Sequence, residues 1–154
     1  MIILYTTLIF ACIWFGVIYS KKLHSRYMMY YDLYQFLKIY EDNLSFRQDN
    51  LKDLVSKFVQ EKRSDLAKFI EEVIIYGRQQ VKPEFLTQKE ADFICDILTS
   101  LGRADKDTEL QQVKHFQFLV NSKLATAKET KEKYSALSIK ISFLIGLLLV
   151  VLLL

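Results

Sequence analysis

Very little in this chain interrupts a helix or builds a catalytic loop. Its 154 residues include four glycines and one proline. Gly16, Gly77, Gly102 and Gly146 each stand alone, so no glycine-rich loop can cradle a phosphate. If ATP drives this protein's work, another chain must bind it. The two cysteines, Cys12 and Cys95, lie in an apolar terminal run and a helical stretch. They do not form a disulfide framework and fit a reducing compartment. His24 and His115 have no ligand-like spacing to cysteine or acid, which argues against a metal site. Asp105, Asp107 and Glu109 alternate like the opening of a calcium loop, but Leu110 stands where the glycine belongs and Phe116 where the closing glutamate belongs. A solvated helix N-terminus explains these acids better, because negative charge there suits the dipole. No cofactor is expected. A strong excess of one charge is also missing. With 21 Lys and Arg against 18 Asp and Glu, there is no concentrated basic face for nucleic acid.

Apolar residues are plentiful, and they are gathered at the two ends. Residues 1–19 read MIILYTTLIFACIWFGVIY without a charge. As a helix rising about 1.5 Å per residue, a run of this length covers about 28 Å, close to the hydrocarbon thickness of a bilayer. A signal peptide wants basic residues before its apolar core and a small-residue cleavage site after it. Here Lys21, Lys22 and Arg26 follow the core, so a retained anchor is expected. The other end, residues 141–154, reads ISFLIGLLLVVLLL. Extended back to Leu137, with Lys140 snorkelling its ammonium to the headgroups, it is long enough to span. Its unbroken apolar character argues against a buried core helix, which would keep a polar face. The expected organisation is a first membrane helix over 1–20, a helical domain over 21–136 and a second membrane helix over 137–154. Lys21, Lys22 and Arg26 flank the first span, while Lys123, Lys128, Lys131, Lys133 and Lys140 approach the second. The positive-inside rule then places the middle of the chain in the cytoplasm.

Between the ends, apolar residues recur at helical spacing. Leu23, Tyr27, Tyr30, Tyr34, Leu37 and Leu44 mark a first helix, and a turn is expected at 47–50. Leu51, Leu54, Val55, Phe58 and Val59 form a stripe on a second helix. Residues 61–64 break it, with Ser64 or Asp65 capping a third helix that carries Leu66, Phe69, Ile70, Val73 and Ile74. A loop follows over 77–83. Thr87 and Glu90 make a capping box ahead of Ala91, Ile94, Cys95, Leu98 and Leu101, and Gly102 sits where a left-handed C-terminal cap belongs. A fifth helix starting near Asp107 or Thr108 carries Leu110, Val113, Phe116, Val120 and Leu124. No breaker separates it from the second span, so it should run into the membrane as one rod. The fold expected is all-α: about five helices burying narrow stripes against one another in an antiparallel bundle. Tyr27, Tyr30, Tyr31 and Tyr34 cluster in one of two ways: as anchors just below the membrane interface or, the reading preferred, in the bundle core with their hydroxyls reaching solvent. Cys95 reads as a small core residue, and Asp92 and Asp96 as surface charge.

One stretch carries more specific information. Leu101, Gly102, Arg103, Ala104 and Asp105 are followed by Gln112, Lys114 and His115, then by a charged helix ending in Lys133 and Tyr134, then by the tail Ile141-Ser142-Phe143-Leu144-Ile145-Gly146-Leu147-Leu148-Leu149. This resembles the stage III sporulation protein AB family of endospore-forming bacteria, whose pattern is an L-G-x-x-D turn, a Lys-His pair and a terminal L-G-F-L-x-G-L-L-L span. Ser142 replaces the usual first glycine of that tail, and residues 23–85 match only in helical character. The resemblance implies a helical domain similar to that of the inner-membrane platform proteins of type II secretion and type IV pilus machines. It also implies membership of the assembly that links mother cell and forespore, in the mother-cell (outer forespore) membrane. The expected partners are a secretion-type ATPase (stage III sporulation protein AA) and other proteins of the same complex.

Three function classes follow. The leading one is a non-enzymatic membrane platform that docks an ATPase through the turn at Gly102, Arg103 and Asp105, a turn that an ordinary helix cap also explains; a second copy of the chain is a further candidate partner. The second is a membrane enzyme using Asp92, Asp96 or His115, which requires those groups to converge in a pocket. The third is a membrane-anchored scaffold or dimerising protein without a motor partner; Gly16 and Gly146 would permit close helix packing in the membrane.

Overall fold

The computed structural model describes residues 2–47, 50–78 and 83–153. These residues form five α-helices and no strand: α1 (Ile2–Asp42), α2 (Leu51–Glu61), α3 (Asp65–Ile70), α4 (Gln88–Ser100) and α5 (Lys106–Leu153). The all-α expectation holds. Two π-helical turns, Asn43–Arg47 and Glu71–Ile75, extend α1 and α3. As expected, α5 runs unbroken into the C-terminal apolar stretch, and it begins at Lys106, slightly ahead of the expected start. Helix α1 does the same in reverse, continuing from the apolar N-terminal stretch into the charged part of the chain. The 77–83 loop and the turn before α2 fall partly outside the described residues.

The chain divides into two compact units, one made of Met1–Tyr27 with Ala125–Leu154, the other of Met28–Leu124. In the first unit α1 packs against α5. A Cβ added to Gly16 would lie 2.7 Å from Ser142 Oγ and 3.2 Å from the Ser138 carbonyl oxygen. Only a residue without a side chain allows the helices this close. The Ser20 and Ser135 hydroxyls hydrogen-bond at 2.5 Å, and Ser138 Oγ donates to the Ser135 carbonyl at 2.9 Å and more weakly to the Gly16 carbonyl at 3.4 Å. Farther along, Lys131 Nζ sits 4.7 Å from the centre of the Tyr27 ring. As the residue number rises along α1, its partner on α5 falls, so the two helices are antiparallel. Gly16, Ser20, Ser135, Ser138 and Ser142 form the seam, at i, i+3 and i, i+4 spacing along each helix of the pair. The faces turned away from it are apolar and exposed: Phe10 at 73%, Trp14 at 70%, Leu144 at 62% and Val151 at 64%. Among the described residues one helix, α5, is long and apolar enough to cross a membrane, and almost none of its apolar stretch is buried.

In the second unit the lower part of α1 is the element the others cover. Met29, Leu33, Phe36 and Tyr40 form the centre of its buried face, with Tyr30 and Leu37 beside them. At about 100° per residue, the stripe of Tyr27, Tyr30, Tyr34 and Leu37 lies along one edge of that face. Tyr27 and Tyr34 are only half-buried and Tyr31 is exposed. The Phe36 ring meets Phe58 of α2 edge-on, with centroids 5.1 Å apart. Leu54, Val55 and Phe58 of α2, Leu66, Phe69 and Ile70 of α3 and Val73 beyond it are buried, as their spacing predicts, as are all five stripe residues of α4. Ile74 and Val59 lie at the rim.

The helix ends follow the sequence signals. Ser64 Oγ accepts from the Ala67 amide at 3.3 Å. Glu90 closes the capping box, its Oε2 accepting from the Thr87 amide at 3.0 Å and from the Thr87 hydroxyl at 2.8 Å. Gly102 takes φ +76°, the left-handed conformation that costs a residue with a Cβ about 1–2 kcal/mol.

The seam makes a direct prediction. A Ser20→Cys, Ser135→Cys pair should form a disulfide readily in the full chain under mild oxidation. Adding Gly16→Ile should cut the cross-linked fraction severalfold, because the new side chain pushes the helices apart. Equal cross-linking in both proteins would contradict the seam.

Candidate functional site

The α4–α5 turn is built on a buried carboxylate. Glu109 lies one turn inside α5, and helical side chains lean toward the N-terminus, so it reaches back under the turn that precedes its own helix. It is 3% exposed. Its Oε1 accepts a hydrogen bond from the Gly102 amide and another, at 2.6 Å, from the Tyr40 hydroxyl of α1. A carboxylate taken out of water needs such donors, since burial without them costs several kcal/mol. Tyr40 is itself buried, and burial together with the adjacent Glu109 carboxylate pushes its phenol well above its ordinary value. The left-handed Gly102 turns its amide onto Glu109, with Leu51 Cδ2 3.3 Å from where a Cβ would be. Thus α1, α5 and the turn are tied at one oxygen atom.

Around this tie the surface is open. Arg103 and Asp105 are exposed. Asp105 caps α5, its carboxylate accepting from the Thr108 amide at 3.4 Å, and the side chain and amide of Thr108 hold its carboxyl below the usual range. A groove of about 550 Å³ borders the turn, lined by Leu44, Leu51, Val73, Ile74 and Leu98, with Lys52, Arg103 and Glu109 among its polar residues. Both π-helical turns contribute to it, through Leu44 and through Val73 and Ile74. A second groove, of about 660 Å³, lies between α1 and α2, lined by Ile39, Phe46, Leu54, Phe58 and the charged Asp42, Lys57 and Glu61.

The sequence places Glu109 among solvated acids at a helix N-terminus. That holds for Asp105 and Asp107, which are exposed, and is corrected for Glu109. The tyrosines need a similar correction. Tyr30, 1% exposed, keeps its hydroxyl inside, donating to Glu90 Oε1 at 3.0 Å. Glu90 therefore caps α4 and receives α1 with its two oxygens. Neither Tyr40 nor Glu109 stands out in the sequence stripes. The available signal is an acid four residues before Val113, on the face that turns inward.

Asp92, Asp96 and His115 are not brought together. All three are exposed, Asp92 accepts from Gln88 Nε2 at 2.9 Å, and none lines either groove. Among the described residues no three His, Cys, Asp or Glu side chains converge. Cys95 is buried in the α4 stripe, and burial, with Asp96 and Asp92 nearby, raises its thiol, which makes it an unreactive core residue. Two further polar ties end on α1. Lys62 Nζ meets Asp32 Oδ1 at 3.2 Å, where the Asp32 side chain is 8% exposed. Gln117 Nε2 of α5 reaches Glu41 Oε2 at 2.8 Å. The basic residues Lys21, Lys22, Lys133 and Lys140 are exposed, and Arg26 and Lys131 are half-buried.

Compared with known families, the chain matches the family model described as stage III sporulation protein AB, over residues 1–80 and 76–154. Among the curated proteins nothing matches it, and among the solved structures nothing does either.

Tyr40→Phe removes one of Glu109's two donors and should lower stability at neutral pH by about 1–3 kcal/mol. The fold raises this phenol above the unfolded value of 10.0. Its contribution is therefore complete below that pH and is lost as pH climbs through the folded value. The stability difference between the parent and Tyr40→Phe, measured by denaturant unfolding in detergent, should narrow above pH 10. A difference that stays constant with pH would contradict the buried Tyr40–Glu109 bond.

Proposed function

Because the chain belongs to the stage III sporulation protein AB family, with a role at that stage of sporulation, we propose that it is a non-enzymatic membrane platform of the mother cell–forespore complex. In this reading α1 and α5 both cross the bilayer at their apolar ends. The unit Met28–Leu124 lies in the cytoplasm of the mother cell and docks a secretion-type ATPase of the stage III sporulation protein AA kind. The absence of a glycine-rich phosphate loop supports a motor supplied by another chain.

The observation that carries the proposal is the α4–α5 turn. A contact surface needs a backbone held in place and a side chain left free; Glu109 supplies the first through Gly102 and exposed Arg103 the second, while Asp105, also exposed, keeps its carboxylate on the Thr108 amide. The groove beside the turn adds apolar surface of the kind a partner's side chains can fill, and a charged rim of Lys52 and Arg103 suits an acidic partner segment. The two apolar lengths support paired spans. Residues 2–18 and 137–153 would each cover about 26 Å as helices, near the hydrocarbon thickness.

Affinity capture of the ATPase by the full chain in detergent tests the docking. Arg103→Glu is expected to reduce capture at least tenfold, a loss of about 1.4 kcal/mol or more. Arg63→Glu, an exposed charge reversal in the linker between α2 and α3, is expected to leave capture unchanged. Equal capture by Arg103→Glu and the parent would remove the turn as the contact.

A further inference from the structure

The formal charge of +3 conceals an uneven division. Within Met28–Leu124 there are fourteen Lys and Arg against sixteen acids, whereas Met1–Tyr27 with Ala125–Leu154 carries seven against two. The helix pair is thus net +5 and the other unit net −2. The register of the seam shows where that positive charge collects. With Gly16 opposite Ser142, Ser20 opposite Ser135 and Tyr27 opposite Lys131, Lys21, Lys22 and Arg26 of α1 lie at the level of Lys131 and Lys133 of α5. Lys128 follows one turn out, and Lys140 lies deeper, near the level of Gly16 and Ser20. Glu129 and Glu132 are the only acids in this unit, and Glu132 stands 4.0 Å from Lys128. Exposed Tyr19 and Tyr134 sit at the inner edge of the same band, as aromatics do at a bilayer interface.

From this register we propose that the band is a binding collar for anionic phospholipid headgroups. The inference rests on the reading that both apolar ends cross the bilayer. Residues 19–26 cover about 10 Å along the helix axis, comparable with the depth of one headgroup layer. Both helices supply cations at that depth, so the collar faces lipid on more than one side of the pair. Lys21, Lys22, Lys128 and Lys133 are exposed, and Lys131 keeps its ammonium over the Tyr27 ring. An ammonium there meets headgroup phosphates, and lipids with net negative charge are favoured over zwitterionic ones because their charge is not cancelled locally.

The test uses the full chain reconstituted in phosphatidylcholine vesicles. Spin-labelled phosphatidylglycerol or spin-labelled phosphatidylcholine is added, and electron spin resonance measures the motionally restricted fraction of each. The expected result is roughly threefold or greater preference for phosphatidylglycerol at low salt, falling toward none in 0.5 M salt, where screening acts over about 4 Å. The combined variant Lys21→Gln, Lys22→Gln, Lys131→Gln, Lys133→Gln should keep the restricted phosphatidylcholine fraction and lose the preference. Equal restriction of both lipids by the parent, or a preference unchanged in the variant, would overturn the collar and leave the two spans standing. No restricted lipid of either kind would overturn both.

Discussion

The close approach of α1 and α5 at Gly16 sets the terms for the rest of their unit. With 2.7 Å between an added Cβ and Ser142 Oγ, the helices touch backbone to side chain, and van der Waals contact and interhelical hydrogen bonds can hold them without any hydrophobic drive. This is the form of helix association that lipid permits, where apolar side chains gain nothing by leaving the solvent. It also explains the inverted surface of the pair. Small and hydroxylated residues face the seam, while Phe10, Trp14, Leu144 and Val151 face outward. In water such an arrangement would leave a large apolar area unpaid for by burial; in a bilayer it is the expected one. The register fixed at the seam then determines which charges share a level.

The other unit is organised by ordinary aqueous rules, with one buried segment of α1 as its common wall. Phe36, Leu33 and Leu37 are fully covered, and burying side chains of this kind contributes about 1.5–3 kcal/mol each. The polar ties are fewer and do a different job. Exposed pairs such as Arg78–Glu72 and Lys114–Glu41 contribute about 0–1 kcal/mol. The tyrosine–glutamate bonds are buried, so breaking one strands a polar group and costs more. Tyr30–Glu90 joins α1 to the start of α4, and Tyr40–Glu109 joins α1 to the start of α5. Each uses a glutamate in the first turn of its helix, so one carboxylate both complements the helix dipole and receives α1.

Much of this was readable from local pattern. The capping box at Thr87 and Glu90, the cap at Ser64, the left-handed Gly102 and the unbroken α5 each depend on a few adjacent residues, and each is found. The stripes of α2, α3 and α4 were readable because those helices bury a narrow face. The buried face of α1 is centred about a quarter turn from the stripe of Tyr27, Tyr30, Tyr34 and Leu37, which also recurs at helical spacing. In a helix covered on several sides, more than one line of apolar residues satisfies the period. Tyr40 and Glu109 could not be paired from sequence, since nothing local says that a phenol and a carboxylate 69 residues apart will meet. The serine seam has no local signature either. Ser135, Ser138 and Ser142 are ordinary helix-surface residues until Gly16 is brought against them.

The seam sets α1 and α5 side by side, and the proposed membrane platform requires both to sit in the bilayer at matched depth. Site-directed nitroxide scanning in reconstituted vesicles, comparing collisions with oxygen and with a water-soluble nickel reagent, reads that depth one position at a time. Labels at positions 10 and 148 should lie deep in hydrocarbon, labels at 22 and 133 should lie together at the headgroup level, and the depth profiles of the two helices should run in opposite directions along the chain. Water-like accessibility along the whole of residues 7–20 while α5 is membrane-embedded would contradict it.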